Sequence, residues 1–190
     1  MHHVDRATPW EEIWQAMEQL VREGKISYVG SSNFAAWDVA LAQCAASARH
    51  FMGLTSEQSL YNLAVRTVEL ELIPALRNLG IGLIPYSPLH AGLLAGALEA
   101  GTEDDRIEAH RDQLEAYEGL CRELGAKPAN VALAWLLRNP VVSTTVVGPR
   151  TSMELRSGLG ALSVQMDTGV VERLDQIWPG PGEAPQAYAW

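Results

Sequence analysis

Short apolar runs, each followed by polar residues and then by a stretch with helical periodicity, recur along this sequence and constrain its fold most. We predict strands over residues 26–29, 51–54, 81–85 and 144–147, and the end of a further strand over residues 1–5. Strands that are apolar throughout are buried on both faces, which is typical of a parallel sheet covered by helices. The pattern therefore predicts an α/β protein.

Apolar spacing of three to four residues predicts the helices between these strands. In the first of them, Thr8 is predicted to cap the helix, Pro9 to take its first position and Gly24 to end it. The other predicted helices cover residues 37–44, 68–79, 106–124, 128–138, 152–162 and 169–177. Residues 96–105 are predicted to form a polar loop, and a tail rich in Pro and Gly follows the last helix.

Composition limits the classes of partner. The chain has 190 residues, 47% of them hydrophobic, and a net charge of −9, which favours one packed domain and argues against nucleic acid. No apolar run reaches the about 18–20 residues that cross a bilayer, so no membrane partner is expected. Cys44 and Cys121 have no metal-ligand or disulfide spacing, which favours a reducing cytoplasm.

Polar side chains gather at the carboxyl ends of the predicted strands, where parallel α/β proteins place their active sites. Ser32, Asn33 and Gln58 offer neutral donors and acceptors, and Tyr86 offers an aromatic face. Such a set suits a flat ring that carries an amide. Three alternatives remain open: a helix cap at Ser-Asn, a glutamine that satisfies backbone groups, and a tyrosine that packs at the rim.

A second candidate site lies at residues 147–152, where a predicted strand end meets a helix start beside Arg150. This combination suits a phosphate group. The alternative is that Arg150 is a solvated surface residue. Neither the G-x-G-x-x-G nor the G-x-x-x-x-G-K-[ST] motif is present, which argues against Rossmann and P-loop folds.

The motifs in their order resemble the aldo-keto reductase family. They are HHVD, TPWEEIWQAMEQLVREGKISYVGSSNF, SEQSLYNL, IPYSPL, VALAWLL and VVGPRT. The resemblance implies the C-terminal part of a (β/α)8 TIM barrel, with an extra C-terminal helix and tail, over residues 1–190. It also implies NADP(H) as cofactor, a small aldehyde or ketone as substrate, and hydride transfer between them.

Site residues follow from the same resemblance, position by position. It implies that Ser32, Asn33 and Gln58 bind the nicotinamide carboxamide and that Tyr86 stacks on the ring. Ser87 and Leu89 would lie near the pyrophosphate, and Gly148, Arg150 and Glu154 would hold the adenosine 2′-phosphate and adenine. His2 matches the histidine of the family's catalytic tetrad.

The resemblance also indicates departures from the family. Its catalytic Asp, Tyr and Lys belong to strands that would precede residue 1, so we expect this chain alone to have little reductase activity. The loop over residues 96–105 is short, and Ser157-Gly158 replaces an acidic-Asn pair near the adenine. The tail could place Tyr188 or Trp190 near a substrate, or pack under the barrel.

A partial barrel has unpaired sheet edges, which we expect at residues 26–29 or 1–5 and at residues 144–147. The chain is therefore expected to self-associate or to bind a complementary barrel fragment. Three functions stay open: a reductase, a non-catalytic nicotinamide-binding or regulatory module resembling potassium-channel β-subunits, and a non-functional remnant.

Overall fold

A computed structural model of the protein describes residues 1–101 and 104–188. Those residues form eight α-helices and three strands. In chain order they are α1 Trp10–Arg22, β1 Val29–Ser32, α2 Ala36–Ala48, β2 Leu54–Leu60, α3 Leu72–Leu79, β3 Gly82–Tyr86, α4 Asp105–Ala109, α5 Arg111–Glu123, α6 Pro128–Arg138, α7 Ser152–Gly158 and α8 Thr168–Ile177. Short 3₁₀ helices cover Thr67–Glu69, His90–Ala95, Leu159–Ser163 and Gln186–Tyr188.

The strands form one sheet in the order β1-β2-β3, and β1 pairs with β2 in parallel. Gly30 lies opposite Ser56 in this pairing. A Cβ at Gly30 would stand 2.5 Å from the Ser56 Oγ and 3.2 Å from the Ser56 carbonyl oxygen, so glycine favours this close approach of the two strands. A parallel sheet among helices confirms the predicted α/β class.

The first two strands begin three residues later than predicted. Residues 26–29 and 51–54 were expected, whereas β1 covers Val29–Ser32 and β2 covers Leu54–Leu60. The polar residues expected beyond the strands lie inside them. Ser31, Glu57 and Ser59 can be buried there because their side chains bond to one another, a pairing that apolar periodicity does not detect.

The third predicted strand is confirmed within one residue as β3, but the fourth is wrong. Residues 144–147, all within the described ranges, form no strand. The Val146 N–H donates to the Pro85 carbonyl at 2.9 Å, and Thr145 Oγ1 donates to the same oxygen at 3.2 Å. Proline has no N–H to return, so a ladder cannot continue there. Residues 1–5 are likewise not a strand.

The predicted helices are mostly confirmed. The helix over residues 128–138 is confirmed in full, α8 begins one residue before the predicted start, and Gly80 follows α3 in the left-handed conformation. The predicted helix over residues 68–79 divides into a 3₁₀ turn and α3, and that over 152–162 into α7 and a 3₁₀ turn.

Two helix predictions are corrected by side-chain contacts. The single helix predicted over residues 106–124 is broken at His110 (φ −126°, ψ 21°), whose ring packs on Trp178 with 5.6 Å between centroids. The predicted cap at Thr8 is also wrong. Thr8 Oγ1 donates to Asp5 at 2.7 Å instead, and Pro9 stands at the cap position of α1.

The chain divides into two compact units. The first comprises residues 1–59, 68–84 and the described part of the tail from residue 182. In it α1 packs on α2 and α2 packs on α3. Trp14 is fully buried, and its indole N–H donates to the Ala42 carbonyl at 2.9 Å, which ties α1 to α2.

The second unit comprises residues 60–67 and 85–181. Helix α6 packs against α5, α7 and two of the 3₁₀ turns. Its Trp135 contacts Tyr61 at 5.2 Å between ring centroids, and the Tyr117 hydroxyl donates to the Pro128 carbonyl at 2.5 Å. The apolar face of α6 therefore organises this unit.

Two of the segments named in the sequence analysis contain residues outside the described ranges. The predicted loop over residues 96–105 includes residues 102 and 103, which lie outside the described residues, as does Trp190 of the tail. Within residues 1–101 and 104–188, every helix is too short or too polar to cross a bilayer.

Candidate functional site

Side chains of β1 and β2 alternate between the two faces of the sheet. Ser32 lies opposite Gln58 in the parallel pairing, and Ser31 lies opposite Glu57. Because side chains alternate along a strand, Ser32 and Gln58 share one face while Ser31 and Glu57 share the other. The fold therefore brings two of the predicted site residues together at the carboxyl end of β1.

Asn33 completes this group. It has a φ of +58°, a left-handed conformation that asparagine tolerates, and its N–H donates to the Gln58 carbonyl at 3.0 Å. Its Nδ2 donates to Ser32 Oγ at 3.0 Å. The Gln58 side chain is half-buried and makes no hydrogen bond to any residue in the described ranges. The primary amide thus remains available to a ligand.

Glu57 is a residue that the sequence did not single out. It is fully buried, and three groups donate to its carboxylate: Ser31 Oγ, Ser59 Oγ at 2.7 Å and the Phe34 N–H at 3.1 Å. The one signal in the sequence is its place beside Gln58 in the motif SEQSLYNL.

Tyr86 and Ser87 lie in the second unit, where β3 ends. Tyr86 is half-buried, and Ser87 follows it with a φ of +53°. The Ser87 carbonyl accepts from Asn62 Nδ2 at 2.9 Å, so a buried amide holds this left-handed turn. Asn62 is a second residue that the sequence did not assign to the site.

Leu89 has an apolar role in the same unit. Its side chain packs against a cluster formed by Leu133, Ala134 and Ala161. The side chain is therefore engaged in the core, and the backbone is the part of Leu89 that a phosphate could contact.

The predicted phosphate site is an exposed loop before α7. Arg150 has a side chain that is 90% exposed, and Gly148 has open space around it. One oxygen of Glu154 accepts from the Arg150 N–H at 2.7 Å, and the other lies 3.9 Å from the guanidinium. Glu154 thus shapes the loop, while the guanidinium of Arg150 faces solvent.

A cavity of about 490 Å³ lies beside α7 in the second unit. Its lining includes Lys127, Asn130, Ser157 and Gly160. Lys127 Nζ donates to Ser157 Oγ at 2.9 Å. Ser157, one of the two residues that replace the family's acidic-Asn pair, therefore binds a lysine.

His2 lies in a groove of about 360 Å³ in the first unit, lined also by His3, Trp10 and Phe34. The two imidazoles meet edge to face, with 4.2 Å between ring centroids. The Met1 nitrogen lies 2.6 Å from the Gly30 carbonyl oxygen, so residue 1 contacts β1.

Charge stabilises the segment that follows Leu89. Arg106 donates to Asp104 through its guanidinium and backbone N–H, which lowers the pKa of Asp104 to about 2. Arg106 also donates to the His90 carbonyl at 3.2 Å. Burial, with the nearby charge of Arg106, lowers the pKa of His90. No three His, Cys, Asp or Glu side chains of the described residues cluster in a way that could hold a metal ion.

The fold and this arrangement define an α/β protein with polar side chains at the carboxyl ends of parallel strands. A model of the Aldo/keto reductase family matches residues 1–179. The chain belongs to the aldo-keto reductase family, and the predicted resemblance is confirmed.

Curated relatives agree with this assignment. The chain is 52% identical to the oxidoreductase YrpG of Bacillus subtilis, over 100% of this chain and 61% of the relative. It is 30% identical to versiconal hemiacetal acetate reductase of Aspergillus parasiticus (93% and 55%). It is 28% identical to a protein of Schizosaccharomyces pombe named for a voltage-gated potassium channel β-subunit (93% and 57%). The chain thus spans between half and two thirds of the length of these relatives.

Proposed function

We propose that this chain is the nicotinamide-binding part of an NADP(H)-dependent aldo-keto reductase that acts on an aldehyde or ketone. The observation that carries the proposal is the group formed by Ser32, Asn33 and Gln58. Family membership and the oxidoreductase relatives support the reaction class.

The residues present fit the cofactor. The half-buried amide of Gln58 has one donor and one acceptor side, which can pair with a carboxamide, and Ser32 adds a hydroxyl on the same face. In the second unit, Tyr86 would offer its ring face, the Ser87 and Leu89 segment would lie near the pyrophosphate, and Arg150 would supply a cation for the 2′-phosphate.

The cofactor, when bound, supplies a hydride for a carbonyl carbon. The chain's own residues orient the nicotinamide, and His2 is assigned to stabilise the oxygen where negative charge develops. Three family residues, the catalytic Asp, Tyr and Lys, have no counterpart among the motifs of this sequence. We therefore propose that the 190-residue chain alone reduces carbonyls slowly. Without the family's proton donor, we expect the rate to be lower by roughly 10²–10⁴-fold than with it.

A second candidate function is a nicotinamide-binding or regulatory module. The channel β-subunit relative supports it, together with the presence of binding residues without the complete tetrad. It predicts saturable cofactor binding without turnover. For location we propose a reducing compartment such as the cytoplasm, because Cys44 and Cys121 are both free thiols.

Titration with NADPH, followed by fluorescence, tests the proposed function. We expect saturation with the wild-type chain and weaker binding by Gln58→Ala, while the exposed Gln15→Ala serves as control. Arg150→Ala should weaken NADPH on the order of 10- to 100-fold and leave NADH unchanged, because only NADPH carries the 2′-phosphate. Arg173→Ala, another exposed arginine paired with a glutamate, is its control.

The outcomes separate the candidates. Saturation by NADPH with oxidation in the presence of an aromatic aldehyde, lost in His2→Ala and Tyr86→Ala, supports the reductase. Saturation without oxidation supports the binding module. Absence of saturation with both NADPH and NADH would contradict both functions.

A further inference from the structure

Glu57 places a carboxylate at a fully buried position of β2, bound by three neutral donors. No Lys, Arg or His in the part of the chain that the structure describes forms an ion pair with it. Replacing a buried ionic group together with its hydrogen-bonding partners by well-packed apolar residues is often neutral or stabilising. Stability alone therefore does not account for a carboxylate at this position.

The donors show what the carboxylate orients. Ser31 precedes the Ser32–Asn33 pair and Phe34 follows it, and both donate to Glu57. The next residue of β2, Gln58, accepts the Asn33 N–H through its carbonyl. The two residues of the candidate site are thus held on both sides by consecutive residues of β2.

The hydrogen bond from Phe34 to Glu57 directly follows a residue with an uncommon backbone conformation. Asn33 has a left-handed φ of +58°, a conformation that asparagine tolerates but that neighbouring contacts help to hold. The Phe34 N–H is the first backbone donor after Asn33, and Glu57 accepts it. Without that bond, the turn from β1 to α2 can relax toward the right-handed region and move the Asn33 side chain.

We propose that Glu57 is a positioning residue for cofactor recognition: it fixes the β1–α2 turn and thereby orients Ser32 and Asn33 toward the nicotinamide carboxamide. The proposal rests on the proposed function. Glu57 does not contact the cofactor, because it lies on the face of the sheet opposite Ser32 and Gln58.

The test compares Glu57→Ala with Glu57→Gln in the full chain. The glutamine keeps the shape; its amide oxygen can accept from the Phe34 N–H and Ser59 Oγ, and its amide N–H can donate to Ser31 Oγ. Asp38→Asn is the matched control, since Asp38 is also a buried carboxylate of the first unit but bonds to Arg6 instead. If Glu57→Ala fails to fold, Ser59→Ala removes one donor from the same carboxylate.

Two ligands and one ligand-free measurement are used. We expect Glu57→Ala to weaken NADPH on the order of tenfold and to leave adenosine 2′,5′-bisphosphate within about twofold, because the turn serves the nicotinamide end only. Glu57→Gln should restore most of the affinity, and Asp38→Asn should retain it. Without ligand, the Phe34 amide should exchange with deuterium faster in Glu57→Ala than in the wild-type chain.

Three results would overturn the inference: unchanged NADPH affinity in Glu57→Ala, equal loss for both ligands, or equal loss in Asp38→Asn at matched stability. If the wild-type chain binds neither NADPH nor NADH, the proposed function fails. In that case, deuterium exchange of the Phe34 amide alone tests whether Glu57 fixes the turn. An exchange rate in Glu57→Ala equal to that of the wild-type chain would contradict this role of Glu57.

Discussion

At the scale of single residues, one buried amide controls the turn after β3. Asn62 is fully buried, and its Nδ2 donates to the Ser87 carbonyl while its Oδ1 accepts from the N–H groups of Ala64 and Val65. Ser87 keeps its left-handed conformation with the help of this contact. Removing the amide leaves the half-buried Ser87 carbonyl and Ala64 N–H without this partner.

We expect Asn62→Ala to lower the free energy of unfolding by about 1–3 kcal/mol, the cost of unsatisfied buried polar groups. Chemical denaturation in urea measures the change. Asn139→Ala is the control, because Asn139 is only half-buried and its amide oxygen makes a single bond, to Val141 at 3.2 Å. An equal loss in the two variants would show that burial of Asn62 is not the cause.

The same scale shows which site residues a sequence can predict. Ser32, Asn33 and Gln58 belong to recognisable motifs at predicted strand ends, so their grouping could be anticipated even though Ser32 and Gln58 lie inside the strands. Glu57 could not, because a carboxylate inside a strand predicts a solvent-facing position unless its donors are known. Those donors come from β1 and from the turn after it, and strand pairing is needed to bring them together.

At the scale of elements, α4 shows how a short helix depends on its first residues. Asp104 stands at its cap position and accepts from the Arg106 N–H at 2.9 Å, and the Arg106 guanidinium binds the same carboxylate. These contacts hold the pKa of Asp104 near 2, below its ordinary value. A lowered pKa means that the contacts favour folding above the ordinary value and that this support is lost as the pH falls through about 2.

NMR titration of the Asp104 carboxyl carbon checks this reading, and we expect a midpoint near pH 2. Arg106→Gln should raise the midpoint toward the ordinary value for aspartate, because the hydrogen bond from the Arg106 side chain lowers the pKa of Asp104 most. Arg111→Gln, which removes an arginine that binds Glu108, should leave it unchanged. If the midpoint of Asp104 is the same in Arg106→Gln as in the wild-type chain, another group causes the lowered pKa.

Element boundaries show where local pattern stops being informative. The start and end of α6 were predictable because Pro128 opens the helix and Asn139-Pro140 closes it. The break between α4 and α5 was not, because it depends on the packing of His110 against Trp178, which lies far along the chain. The absence of a strand at residues 144–147 also depends on a distant contact, because these residues lie beside Pro85 of β3, which has no N–H to donate.

At the scale of the whole molecule, the sheet edges are the feature that bears on assembly. In the described sheet β1 and β3 are the outer strands, and each has β2 as its only strand neighbour there. The net charge of −9 opposes close approach of copies at low salt. We propose that pairing at these edges nevertheless leads to self-association, or to binding of a complementary barrel fragment.

Sedimentation velocity over a hundredfold range of concentration tests this proposal. We expect the mean mass to rise with concentration, and to rise more at high salt, where repulsion between the acidic copies is screened. A single monomeric species that melts cooperatively at every concentration would contradict it.

The hydrogen bonds of the Glu57 carboxylate also restrict the register in which β1 can pair with β2. A slip of β1 by one residue along β2 turns every side chain to the opposite face. Ser31 would then leave the carboxylate, and Glu57 would be buried with fewer donors, at a cost upward of about 3 kcal/mol for a charged group. Apolar side chains tolerate such errors, since one methyl group replaces another. The hydrogen bonds between Ser31 and Glu57 therefore favour a single register of β1 against β2.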